Sequence, residues 1–269
     1  MAAEVEPIHE LANAVAAAQR VLVFTGAGMS TASGIPDFRG PRGIWKQRRP
    51  VMFQDFVASA EARREHWRYK AAGNREFSQA RPNAAHRALV ALERLGRLDT
   101  LVTQNVDGLH QDAGHDPERI VELHGTNRAV ECLSCGARSD PESALEDFAA
   151  TGDCPRCRAC GGILKTATVS FGQPMPQAEL QRAFRAARRA DLVLAAGSTL
   201  EVQPAADVPL AGAGSGAFYA IVNRGSTGHD RYADLRLEGD VTELLPALAR
   251  AVEAALPAAA GKATGGDDG

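Results

Sequence analysis

No stretch of this 269-residue chain is apolar for long enough to cross a bilayer, so a spanning helix is not expected. Positive charge is not in excess either. Thirty Lys and Arg stand against 33 Asp and Glu, a formal net charge of -3, and no global basic field argues for nucleic acid or an anionic membrane as partner. The opening Met1-Ala2-Ala3-Glu4-Val5-Glu6 is acidic and lacks an apolar core, which fits neither a secretory signal nor a transit peptide. Cysteine is scarce, five in all, and four of the five form two Cys-x-x-Cys pairs. That pattern suits metal binding in a reducing compartment better than a disulfide framework, and a cytoplasmic location is expected. No internal repeat is present, and the length allows one large core with a smaller insertion.

What is present is an alternation of short apolar runs with helical spacing. Strands are expected at 21–24, 100–103, 120–123, 192–195, 218–222 and 235–237, and helices at 8–20, 82–95, 178–190 and 241–256. Strands separated by helices imply a doubly wound α/β fold, a mostly parallel Rossmann-like sheet covered on both faces. Two segments interrupt it. Residues 40–80, rich in Arg, Lys and aromatics, should form a helical cap, and residues 126–164 carry every cysteine and should form a compact zinc-binding insertion. Together these make a smaller domain, leaving 1–39, 81–125 and 165–257 for the larger one. The tail 258–269, low in apolar bulk, should be disordered.

The first apolar run leads into Gly26-Ala27-Gly28, where a strand gives way to a glycine turn. Glycine there lets a phosphate approach main-chain N–H groups, and a following helix N-terminus adds favourable partial charge, so a dinucleotide is the expected ligand. Two absences narrow its role. A dehydrogenase fingerprint places a third glycine three residues after the second, but Thr31 stands there. No acidic residue ends a strand about twenty residues further on to hold a ribose, because the segment around Gly43-Ile44-Trp45-Lys46 is basic. The chain runs instead into Ser33-Gly34-Ile35-Pro36-Asp37-Phe38-Arg39, a polar and aromatic loop with a cation, able to fold over a bound cofactor. This suggests a cofactor that is consumed.

The block Gly26-Ala27-Gly28-x-Ser30-x-x-Ser33-Gly34-Ile35-Pro36-Asp37-Phe38-Arg39 resembles the sirtuins, a family of NAD-dependent protein lysine deacylases. Further segments match in family order. Thr103-Gln104-Asn105-Val106-Asp107-Gly108-Leu109-His110 is similar to the second NAD motif and Leu123-His124-Gly125 to the catalytic histidine. Gly197-Ser198-Thr199 with Val202, Pro204 and Ala205 is similar to the family's Gly-Thr-Ser segment, and Ile221-Val222-Asn223 and Gly239-Asp240-Val241 complete the set. The matches run from roughly residue 8 to residue 255, far more specific than any one motif. The resemblance implies NAD as co-substrate. It places Gly26, Ala27, Gly28, Ser30, Pro36, Asp37, Phe38 and Arg39 on the first NAD loop, and Gln104, Asn105 and Asp107 near the ribose and nicotinamide amide. Gly197, Ser198, Thr199 and Asn223 fall on the adenosine side, with Asp240 and Val241 bordering the adenine. Independently of any family, residues 26, 104, 124, 197 and 223 fall at or just beyond the C-terminal ends of expected strands, where open α/β sheets bind ligands.

His124, between a strand and Gly125, should point into the same cleft as the glycine loop, and a neutral imidazole suits a general base near pH 7. His86, His110 and His115 read as structural. By the resemblance, the acyl-lysine carbonyl oxygen attacks C1' of the nicotinamide ribose, nicotinamide leaves, and His124 takes a proton from a ribose hydroxyl. Nicotinamide, free lysine and O-acyl-ADP-ribose are the implied products, and acylated lysines in extended peptide segments the implied partners. Val169-Ser170-Phe171-Gly172-Gln173 is similar to the family's peptide-clamping strand, with Gln173 where Glu is usual. Members that remove acidic acyl groups carry Tyr-x-x-Arg in the cap. Here Trp67 and Lys70 occupy those places, with Arg68 between them as another cation. Two rival readings use the same cleft: a protein mono-ADP-ribosyltransferase, and an inactive NAD- or zinc-based interaction module.

The metal set has two solutions. Cys132 and Cys135 could pair with Cys154 and Cys157, leaving 18 residues between Cys135 and Cys154, or with Cys157 and Cys160, leaving 21 between Cys135 and Cys157. Spacing favours the first. Local chemistry favours the second, because Gly136 and Gly161 follow Cys135 and Cys160 and free each turn to aim N–H groups at sulfur. The family's second pair also precedes Gly-Gly-x-Leu, as Cys160-Gly161-Gly162-Ile163-Leu164 does. The set chosen is Cys132, Cys135, Cys157 and Cys160, a closed four-thiolate site for one structural zinc ion, with Cys154 left over.

Overall fold

The computed structural model describes residues 2–37, 43–44 and 49–257; Phe38, Arg39 and the tail 258–269 lie outside the described residues. Strands β1 (Val21–Thr25), β2 (Leu98–Thr103), β3 (Ile120–Glu122), β7 (Leu192–Ala196), β8 (Phe218–Asn223) and β9 (Leu235–Glu238) lie in the order β3-β2-β1-β7-β8-β9. Every pairing among them is parallel. β1 and β7 are buried at each position, which requires cover on both faces. Alternate side chains divide the core. Val21, Val23 and Leu194 meet Leu11 of α1 (Ala2–Ala17), Leu89 of α4 (Ala84–Arg94) and Leu248 of α9 (Val241–Ala255). Leu22, Phe24 and Val193 meet Ala183 of α7 (Gln177–Arg189) and Val208 of α8 (Asp207–Ala213) on the other face. The doubly wound arrangement expected from the sequence is the one observed.

Several element ends differ from expectation, α1 beginning at Ala2 and β2 at Leu98 among them, and two of the differences have a local reason. α1 stops at Ala17 because the Asp191 carboxylate accepts the N–H groups of Gln19 and Arg20, at 3.0 and 2.8 Å, and turns the chain into β1. α4 starts at Ala84 because Asn83 caps it, Oδ1 accepting from Ala85 N and His86 N at 2.9 and 3.4 Å.

The remaining strands were not expected, since they lack an alternating apolar pattern. β4 (Gly125–Cys132), β5 (Arg138–Ser139) and β6 (Leu164–Thr168) form an antiparallel sheet ordered β5-β4-β6. Its core joins Val130 and Leu164 to Leu145 and Phe148 of α6 (Pro141–Thr151) and to the fully buried Trp67 of α3 (Ala60–Gln79). The 60–79 and 126–164 segments therefore share one apolar cluster. Two shorter helices, α2 (Phe53–Ala58) and α5 (Leu109–Ala113), complete the cap side and the loop after β2. In the larger sheet the chain direction of assembly reverses between β1 and β7, the switch point at which open α/β sheets leave a crevice.

Candidate active site

The loops after β1 and β7 meet at that crevice backbone to backbone. Gly28 N donates to Gly197 O at 2.8 Å, and a Cβ on Gly28 would lie 2.8 Å from that same oxygen. Gly197, at φ 62°, has equally little room, because its Cβ would stand 2.6 Å from Met29 N. Gly26 and Gly28 are thus needed for loop-to-loop contact as well as for access by a ligand. No α-helix opens directly beyond them. The chain makes two 3-10 turns, Ala27–Met29 and Thr31–Ser33, so the expected helix N-terminus is replaced by short turns.

A polar network fixes the next wall. Gln104 Nε2 donates to Ser198 Oγ at 2.9 Å, which links the loop after β2 to the loop after β7. Asn105 Nδ2 donates to Gly26 O at 3.0 Å and Ser30 Oγ at 3.2 Å, and Ser30 Oγ donates to Asp107 Oδ2 at 2.7 Å. Asp107 Oδ1 accepts from Leu109 N at 2.9 Å. Burial nonetheless raises the Asp107 pKa, outweighing the bonds that favour its charge. Behind these, Thr25 Oγ1 lies 2.8 Å from Thr103 Oγ1 and 3.1 Å from His110 Nε2. His86 and His110 pack as tilted rings, centroids 4.9 Å apart and planes at 57°, the structural use expected of them.

His124 follows β3, and its Nδ1 lies 3.0 Å from the Gln104 carbonyl oxygen. A carbonyl only accepts, so Nδ1 carries the proton and Nε2 is the basic nitrogen of the neutral ring. Burial lowers the His124 pKa against the opposing pull of that carbonyl, which keeps the imidazole neutral at pH 7.

In front of this network lies a cavity of about 780 Å³. Gly26, Ala27, Gly28 and Asp37 line it from the first loop, and Gln104, Asn105 and His124 from the second and third. Gly197, Ser198 and Thr199 meet Asn223, Asp240 and Val241 on the far side. Among the described residues, three assigned to NAD from the sequence are not on this wall. Ser30 and Asp107 are buried behind it, bonded to each other, and Pro36 faces solvent. Asp240 is also committed to structure, Oδ1 accepting from Thr242 N at 2.8 Å to cap α9 and the carboxylate pairing with Arg224 at 2.5 Å.

His66 and Lys70 line the cap side of the cavity, and buried Lys165 stands close enough to lower the pKa of both. Lys70 Nζ donates to Asn127 Oδ1 at 2.7 Å, and His66 Nε2 lies 3.2 Å from Thr166 Oγ1. Buried Lys165 donates to the Thr166 carbonyl at 3.3 Å and to that of Thr168. Burial first, and then the charge of Lys165, bring the Lys70 pKa down to about 7; burial brings Lys165 to about 8. Trp67 faces the core of the smaller sheet, and Arg68 is exposed beside Glu61 at 3.3 Å. Of the three residues considered for an acidic acyl chain, only Lys70 lines the cavity.

Sequence reading missed Asn83, whose Nδ2 donates to Met29 O at 2.7 Å and Ser33 Oγ at 3.0 Å and so braces the glycine loop. Its signal was available, since Pro82-Asn83 ahead of an apolar helical pattern reads as an N-cap. Arg128, Asn127 and Lys165 carried no such signal.

The cysteine question is settled by geometry. The sulfurs of Cys132, Cys135, Cys157 and Cys160 all lie within 4.8 Å of one another, with Cys132–Cys160 at 3.5 Å and Cys135–Cys157 at 3.8 Å. A tetrahedron of thiolates at the usual zinc–sulfur distance has edges of about 3.8 Å, so the quartet fits zinc with no position left open. Two similar turns present them. Gly136 N donates to Cys132 O at 2.9 Å and Gly161 N to Cys157 O at 2.8 Å, both glycines at φ 71°. N–H groups of Cys135 and Ser134 aimed at the Cys132 sulfur hold its thiol down at about 6. Cys154 stands outside the quartet, packed against the smaller core.

Residues 26–204 match the model of the Sir2 family. A protein of Rhodopseudomonas palustris named NAD-dependent protein deacetylase is 44% identical over 238 residues, covering 88% of this chain and 94% of its own length. One of the same name from Haloarcula marismortui is 43% identical over 248 residues, covering 90% and 94%. A solved structure described as Sir2 with a p53 peptide and NAD+ superposes with a TM-score of 0.82 at 34% identity, covering 90% of this chain and 96% of that one. With the glycine loops, the histidine and the cysteine quartet arranged as described, the chain belongs to the Sir2 family.

Proposed function

We propose that this chain removes acetyl groups from protein lysines with NAD as co-substrate, releasing nicotinamide and O-acetyl-ADP-ribose. One observation carries the proposal: a neutral His124, its proton held on Nδ1 by the Gln104 carbonyl, lines the same cavity as the glycine loops after β1 and β7. Bound NAD would supply an anomeric carbon that accepts the acyl oxygen as nicotinamide leaves. The protein's part is placement and proton movement. Gly26, Gly28 and Gly197 to Thr199 would seat the diphosphate and adenosine, and Asn223, Asp240 and Val241 the far end. Gln104 and Asn105, each fixed by a neighbouring loop, would orient the ribose and amide. Nε2 of His124 would take the ribose hydroxyl proton. Ser30 and Asp107 would act by holding Asn105 in place.

An extended peptide would lie along 169–173, which is no strand but continues past the end of β6 at Thr168 into a turn, Gln173 N donating to Ser170 O at 2.9 Å. Val169 N donates to His124 O at 2.8 Å, so this segment is registered on the catalytic residue. Gln173 Oε1 accepts from Ser170 N at 3.1 Å and brings no charge to the peptide. Lys70 is the residue that an acyl chain ending in a carboxylate would meet. Four zinc-bound thiolates would keep their form in a reducing cytoplasm. The division into 1–39, 81–125 and 165–257 against 40–80 and 126–164 remains our proposed domain boundary set.

The test incubates the protein and NAD with matched acetyl- and succinyl-lysine peptides and follows nicotinamide, acyl-ADP-ribose and protein mass together. Acyl-ADP-ribose is expected; nicotinamide with ADP-ribose left on protein would replace this reading by mono-ADP-ribosyl transfer. His124→Ala should lower turnover by about 10²–10⁴-fold while NAD affinity stays close to the parent's, and near-normal turnover would remove His124 from the mechanism.

A further inference from the structure

We propose that Arg128 is a positioning residue for the NAD-side loop, clamping residues 105–109 from the strand that ends at the zinc ligand Cys132. The proposal rests on the NAD reading above. Arg128 stands on β4 and reaches across to the segment between β2 and α5. Its Nε donates to the Asp107 carbonyl at 3.2 Å, Nη1 to Asp112 Oδ1 at 2.8 Å, and Nη2 to Asp112 Oδ2. The guanidinium lies directly against Gly108. A Cβ there would come within 1.9 Å of Nε, and Gly108 has φ 72°, so both the contact and the turn require glycine.

The clamp works with a second tie from the same strand, Asn127 N to Val106 O at 2.8 Å. On its other side the loop is tied to the glycine loop by Asn105 and by Asp107 through Ser30. Asn105, which lines the cavity, is therefore held between the NAD-binding loops and the cysteine-bearing strand. Removing the Arg128 side chain takes the donor from the Asp107 carbonyl, leaves Asp112 with only the charge of Arg81, and removes the cation that faces Asp107 and Glu122. The loop would keep its ties through Val106, Asn105 and Asp107 but lose the one side chain that bears on Gly108. Lysine offers a point charge in place of a fork and cannot serve Asp107 O and both Asp112 oxygens at once.

Arg128→Ala should raise the KM for NAD by about three- to tenfold while kcat and the KM for peptide stay within about twofold, the pattern of lost uniform binding. Zinc content should remain that of the parent. Arg128→Lys should not rescue, and Asp112→Asn should move the NAD KM in the same direction. Amide exchange of residues 104–112 gives a readout independent of turnover. In the parent these amides should exchange faster once a chelator removes the metal, and in Arg128→Ala they should be fast already and respond little further. Unchanged exchange and unchanged NAD KM in Arg128→Ala would overturn the proposal, as would equal losses in kcat and zinc content, which would mark a folding defect. Failure of the parent itself to bind NAD would instead overturn the functional reading.

Discussion

Around the six-stranded sheet, apolar side chains fill both faces, with Leu11, Leu89 and Leu248 on one side and Ala183, Val208 and Ile221 on the other. The three-stranded sheet has only a small cluster about Trp67, Val130 and Phe148, two exposed residues for one of its edge strands, and four converging cysteine sulfurs. The first region can be held by burial alone. The second has too little apolar area for that, and metal binding supplies what its core lacks. The cavity lies where the two meet, so its loops after β1 and β7 rest on the well-buried sheet, while Asn127 and Lys70 reach in from the metal-dependent side.

The sharpest way to break this contrast is Cys160→Ser. Structural zinc can supply on the order of 10 kcal/mol to a small fold, so the variant should lose its metal and the amide protection of β4 to β6 while β1 and β7 stay protected. Metal analysis with hydrogen exchange reads both; retained metal would refute the ligand set. Leu194→Ala, in the larger core, should cost about 2–5 kcal/mol in denaturant unfolding and leave zinc content unchanged. If it also released the metal, the two regions would be one cooperative unit.

Acid should strike both regions through buried histidines. Burial lowers His86 to about 4 and also depresses His66 and His110. The unfolded chain, with histidine near the usual 6.5, then binds more protons, so this stability is present above about pH 6.5 and is lost as pH falls toward 4. Thermal unfolding across that window should show Tm falling, and a shallower fall in His86→Asn; a flat profile would contradict the burial argument. The smallest effect is expected of Cys154→Ser, which should leave zinc content intact and stability within about 0.5 kcal/mol. Release of zinc by this variant would reverse the assignment.

Much of the site was legible because its residues sit in contiguous motifs at strand ends. Gly26, Gln104, His124, Gly197 and Asn223 were placed at the crevice from local pattern alone, and the structure brings them to one cavity. What pattern could not show was which side of the loop each residue faces. Ser30 and Asp107 belong to the same motifs yet bond to each other behind the wall. The strands of the smaller sheet were illegible for a related reason, since β5 has two exposed residues and β6 carries a buried lysine, neither of which follows alternation.

By itself the amino-acid sequence determined the alternation of strand and helix, the glycine turns, and the types of residue available for chemistry, because hydrophobic period and turn chemistry are properties of neighbours along the chain. Only the tertiary structure decided that Trp67 is core while Lys70 lines the cavity, that Cys157 and Cys160 close the quartet that spacing alone would have given to Cys154, and that Arg128 lies on Gly108. Those outcomes depend on elements brought together from distant parts of the chain, where contact is set by packing and backbone path and leaves no periodic mark in the sequence.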